Sequence, residues 1–100
     1  MASALIGAGG AVAAEWYANG DLHQKKMRDW KQASPQNRLA TAADFVSKMD
    51  MPATYEELNT TTKAQAAALV RCISEGGADA RSDNLAVAEI AAACMTLKTR

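Results

Sequence analysis

SDNLAVAEIAAACMTL, running from Ser82 to Leu97, is the stretch that decides the fold class. Val87, Ile90, Cys94 and Leu97 recur at steps of three, four and three, one stripe of an α-helix. Ala86, Ala91 and Ala93 flank that stripe, and Glu89 is the only charge between Asp83 and Lys98. A helix apolar over most of its circumference belongs inside a protein, with other helices around it. Its alanines allow those neighbours to approach closely, because interaxial distance follows side-chain size at the contact. The expected fold is therefore all-α: a small irregular bundle of four to five helices around a buried, Ala-rich C-terminal helix.

The rest of the chain supports that class. Its 100 residues make one domain, and 49% of them are hydrophobic while only 5% are aromatic. Alanine supplies much of the apolar total, a composition that favours thin, closely packed helices over a sheet.

Working backwards, Gly76-Gly77 closes a helix whose inner face is Ala66, Leu69, Val70 and Ile73. Thr62 with Gln65 is a start signal for it, and Thr54 with Glu57 is another for a short helix over Tyr55 to Asn59. The three threonines between, Thr60 to Thr62, are poor helix interior and mark a break. Ser34-Pro35 starts a longer helix, with Leu39, Ala42, Val46 and Met49 on its apolar stripe, and Asp50-Met51-Pro52 stops it. Asn19-Gly20 is a turn, and Asp21 with Gln24 opens a helix over Leu22 to Gln32 that places His23, Met27 and Trp30 on one face.

Residues 1–14 carry no charged side chain, and Val12-Ala13-Ala14 has the small-residue pattern of a signal-peptide end without the basic start. They form an apolar segment, either the remnant of an export signal or a docked helix, with membrane association as the third reading. Residues 15–100 form a single helical domain. Gly7-Ala8-Gly9-Gly10 mimics a dinucleotide loop but lacks the preceding strand such a loop needs.

Eleven basic residues balance eleven acidic ones, and neither half of the chain is strongly basic, so a nucleic-acid partner is disfavoured. Lys25, Lys26, Arg28, Lys31 and Arg38 read as a solvated face. One histidine and two distant cysteines form no metal-ligand spacing, so neither a metal nor a cofactor is expected. Glu56-Glu57, adjacent on a helix, diverge instead of converging on a substrate and suit its dipole better. No catalytic residue is expected.

Cys72 and Cys94 read either as small buried hydrophobes or as a disulfide. A simple hairpin of the last two helices would offset them by roughly 10 Å at about 1.5 Å per residue, more than the roughly 7 Å between Cα atoms that a disulfide tolerates. The connector after Gly76 is long enough to change that stagger.

Trp16, Tyr17 and Trp30 lie close together in sequence, beside Lys26, and Trp and Tyr are over-represented at binding hot spots. The expected function is that of a non-enzymatic helical binding or accessory protein, of bacterial or phage type. It would act on an unidentified protein partner through Trp16, Tyr17, Lys26 and Trp30. The alternatives are a membrane-associated subunit anchored by residues 1–14, and a nucleic-acid-associated module. An exported, periplasmic location is favoured over the cytoplasm. Oligomeric state is not readable.

Overall fold

A computed structural model describes residues 15–98. The expectations for residues 1–14 lie outside the described residues. Within them the protein is all-α, a small irregular helical bundle. Helices α1 (Met27–Gln32), α2 (Pro35–Met49), α3 (Tyr55–Glu57), α4 (Lys63–Gly76) and α5 (Val87–Lys98) follow in order, with a π-helical turn at Leu58–Thr62 and a 3₁₀ turn at Ala80–Ser82.

The chain enters through the Asn19-Gly20 turn, where Asn19 takes a left-handed φ of 68°. Gly20 then lies hard against α2. A Cβ built on it would sit 2.4 Å from the Thr41 backbone nitrogen and 2.7 Å from the Ala40 carbonyl carbon. Only glycine fits there. Thr41, fully buried, accepts the Leu22 N–H on its hydroxyl at 3.3 Å and donates to Asn37.

The expected helix over Leu22 to Gln32 is shorter than its pattern suggests. Residues 22–25 form a turn, and Lys26 is extended and bridges antiparallel to Ala86. The Met27 N–H donates to the Leu85 carbonyl at 2.9 Å, and the Val87 N–H donates to the Lys25 carbonyl at 2.9 Å. Each strand-like residue thus feeds directly into a helix, α1 or α5. The Asp29 carboxylate accepts the Lys26 N–H at 3.2 Å and so closes the start of α1, in place of the expected Asp21 cap.

α2 starts as its sequence signals require, with Ser34 Oγ accepting the Asn37 N–H at 3.1 Å ahead of Pro35. Its buried face includes Ala40, Ala42, Ala43, Phe45 and Val46, whereas Met49, at the end of the expected stripe, is 65% exposed. Thr54 Oγ1 caps α3 through the Glu57 N–H at 3.0 Å. The expected break at the threonines does not occur. The backbone widens into a π-turn and runs straight into α4, with the Thr60 hydroxyl donating to the Glu56 carbonyl at 2.8 Å and Thr62 buried. A hydroxyl that satisfies a backbone carbonyl lets a poor helix former stay in the helix.

α4 packs against both α2 and α5, burying Ala66, Leu69 and Ile73. That makes α4 the middle of the bundle, which corrects the expectation that the C-terminal helix is the buried centre. α5 buries one stripe only, Val87, Ala91 and Cys94, while Ala92, Ala93 and Leu97 face outward. The physical reason is geometric: small alanines on an outer face cost little when exposed, so apolar composition alone does not force burial on all sides.

Candidate functional site

The four residues expected to form one binding surface do not come together. Trp30 is 1% exposed, and its indole N–H donates to Ser74 Oγ at 3.1 Å. It is the bulkiest fully buried side chain and fills the space between thin, alanine-rich helices, so its role as a surface anchor is corrected to a core one. Lys26 is exposed, but its backbone is fixed by the Ala86 bridge at the root of α1, and Trp30 beside it points inward.

Trp16 and Tyr17 do meet, edge to face, with ring centroids 5.6 Å apart at 84°. The Trp16 indole N–H donates to Asn59 Oδ1 in the π-turn at 2.7 Å, and Lys63 Nζ lies 5.6 Å from the Trp16 ring centroid. The Tyr55 hydroxyl donates to Glu15 Oε1 at 3.1 Å. Burial first, then the nearby Glu15 and Tyr55, push the Tyr17 phenol above its ordinary value of 10.0. This cluster spends its polar groups on itself. Trp16 has one donor, and Asn59 takes it, so the pair works as a clamp that fastens the incoming chain onto the start of the long helix.

The basic face is partly structural as well. Lys31 donates to the carbonyls of Ala78 and Asp79 and pairs with Asp83, while Arg38 donates to the carbonyls of Trp30 and Lys31 at 2.8 Å each. His23 Nε2 and Asp44 Oδ2 are 2.7 Å apart, and the imidazole stands edge-on to Phe45. That pair ties the turn at 22–25 to α2. Among the described residues no cluster of three His, Cys, Asp or Glu is placed to hold a metal ion, and no helix is long and apolar enough to cross a membrane.

Cys72 and Cys94 are joined by a disulfide, with Cα atoms 6.0 Å apart. The unfavourable stagger read from the sequence came from starting the last helix at Ser82. α5 starts at Val87, behind a 3₁₀ turn and the Lys26 bridge. Counted from the real helix ends the offset shrinks to about 4–5 Å at about 1.5 Å per residue.

That disulfide lines the site that sequence reasoning missed. An apolar groove of about 570 Å³ opens between the C-terminal parts of α2 and α5, over α4. α2 contributes Val46 and Met49, with Asp50 just past its end; α4 contributes Gln65, Ala68, Leu69 and Cys72; α5 contributes Cys94, Met95 and Leu97. Met49 and Leu97 stand on its rim at 65% and 62% exposed, and Met51, two residues past Met49, is 75% exposed. Asp50 is the only charged side chain among the described residues that lines it. The signal was present in the sequence: Met49 and Leu97 continue apolar stripes past the point where neighbouring helices cover them.

A smaller cleft of about 360 Å³ lies beside Trp16 and the start of α2, lined by Trp16, Ala18 and Leu39 together with the polar residues Glu15, Asn19, Ser34, Gln36 and Asn37. The groove is the better-formed site, since binding pockets are concave, mostly apolar and carry few polar groups. The chain matches no protein-family model, no curated protein and no solved structure.

Proposed function

We propose that the protein is a non-enzymatic binding protein that acts through protein–protein contacts, taking an apolar segment of a partner into the groove between α2 and α5. The observation that carries this reading is the groove itself, together with the exposed Met49 and Leu97 at its rim. Large exposed apolar side chains grouped on one surface of a small protein mark contact sites. Methionine adapts its shape to what it meets, because its side chain is unbranched and flexible.

The Cys72–Cys94 bond supports placing this activity in an oxidising compartment, where disulfides persist. An exported, periplasmic setting fits that bond. In that setting the partner would be one met outside the cytoplasm.

A photo-crosslinking residue at position 97 tests the reading against one at Arg81, whose side chain is 91% exposed in the 3₁₀ turn and does not line the groove. The groove position should yield discrete protein adducts in native extract, and Met49→Asp should abolish them. Equal adducts from both positions, or adducts that survive Met49→Asp, contradict the proposed site.

A further inference from the structure

We infer that the groove takes an amphipathic helix of another protein, one that carries a basic side chain to meet Asp50. This rests on the groove being the binding site and names the chemistry of its occupant.

The helical form follows from what the groove lacks. Its walls and floor are helices, and its lining is apolar except for Gln65 and Asp50. An extended segment entering it would bury backbone N–H and C=O groups with almost nothing to pair with. The only strand-like pairing among the described residues is the isolated Lys26–Ala86 bridge at the root of α1, so the groove offers no sheet edge. A helix satisfies its own backbone and presents apolar side chains at i, i+3, i+4 and i+7, the spacing that fits between two helices.

The basic residue follows from charge. Asp50 ends α2, its backbone N–H bonded to the Val46 carbonyl at 2.9 Å, and its carboxylate makes no hydrogen bond or ion pair among the described residues. The negative end of the α2 dipole lies at the same place and favours a cation. Lys48, in the last turn of α2, answers part of that dipole, but no described basic side chain lines the groove to meet Asp50. The Cys72–Cys94 bond ties the α5 wall to α4, and α4 packs against α2, the helix that Asp50 ends.

The test uses the full disulfide-bonded chain and a fluorescent helical peptide with leucines at helical spacing and one lysine a turn beyond them. A second peptide carries glutamate in place of the lysine. The lysine peptide should bind more tightly at low salt, by roughly three- to tenfold, the size of an attraction replaced by a repulsion at a partly exposed carboxylate. Asp50→Lys should reverse that preference, with the far-ultraviolet spectrum unchanged, and high salt should flatten it. Leu97→Asp should remove binding of both peptides.

If both peptides bind equally and Asp50→Lys changes nothing, the charge inference is overturned while the groove reading stands. If neither binds, both fall together. A synthetic peptide of residues 1–14, which carries no charged side chain, outcompeting the lysine peptide would overturn the inference by making the chain its own occupant. Uptake of neutral phosphatidylcholine vesicles through the groove, lost in Leu97→Asp, would overturn it in favour of a membrane surface.

Discussion

Replacing Trp30 separates a core residue from a surface anchor more cleanly than any other single change. The side chain is 1% exposed, and its indole N–H reaches Ser74 Oγ at 3.1 Å. Trp30→Ala should cost about 3–5 kcal/mol from lost burial and the cavity left behind. The lost hydrogen bond adds about 1 kcal/mol. A domain of this size has roughly 5–15 kcal/mol in total, so the variant should be marginal or unfolded at room temperature. Trp30→Phe keeps most of the apolar volume and leaves Ser74, only half-buried, able to turn towards water. It should cost about 1–2 kcal/mol, mostly the hydrogen bond and a small void. Urea titrations followed by circular dichroism give both values from midpoint and slope. A Trp30→Ala protein that loses under 1 kcal/mol with an unchanged slope would refute the reasoning and return Trp30 to the surface.

The remaining expectations follow from the same packing. Ile73→Ala, on the middle helix and fully buried, should cost about 2–5 kcal/mol, and Ile90→Ala, half-buried on α5, clearly less; denaturant midpoints in the opposite order would put α5 at the centre. Gly20→Ala should destabilise by at least the about 1–3 kcal/mol of ordinary overpacking, because its Cβ meets α2 backbone that cannot move aside; a melting temperature unchanged from the parent would contradict the close approach. Cys72→Ser with Cys94→Ser should remove about 3 kcal/mol by freeing the unfolded chain, and free-thiol counting on denatured, unreduced parent protein should find none. Asp79 is held below its ordinary value of 3.8 chiefly by the Arg81 side chain, then by the Arg81 backbone N–H. Its contribution is therefore present above about pH 4 and lost as the pH falls through its lowered folded value, so Asp79→Asn should flatten the acid limb of a stability profile.

How much of this was legible in the sequence depended on whether the signal was local. Ser34-Pro35, Thr54 with Glu57, and Gly76-Gly77 are caps, and each ends or starts a helix as read, because capping involves only residues within one turn. The inner face of α4 was also readable, since Ala66, Leu69 and Ile73 recur at helical spacing. Three features were misread, two because of distant partners and one because of a hydroxyl bond a single turn back. Leu22 to Lys26 has helical spacing, but the Ala86 bridge and the Gly20–Thr41 approach hold it otherwise. The threonine run should interrupt a helix, yet a hydroxyl bonded back to Glu56 carries the chain through as a π-turn. Trp30 has the composition of a hot spot, but among alanine-rich helices the largest side chain is drawn inside to fill volume. The groove went unseen for the complementary reason. Met49 and Leu97 lie on good apolar stripes, and a stripe does not state where its neighbour ends.

The central claim, that the α2–α5 groove is the binding surface, is tested most directly by a two-dimensional amide NMR titration of the full chain with the lysine-bearing helical peptide. The account predicts shifts concentrated at Val46, Met49, Asp50, Ala68, Met95 and Leu97, with Trp16, Tyr17 and the α1 amides unmoved. Shifts concentrated instead at Trp16, Tyr17 and Asn59, with the groove amides still, would contradict it.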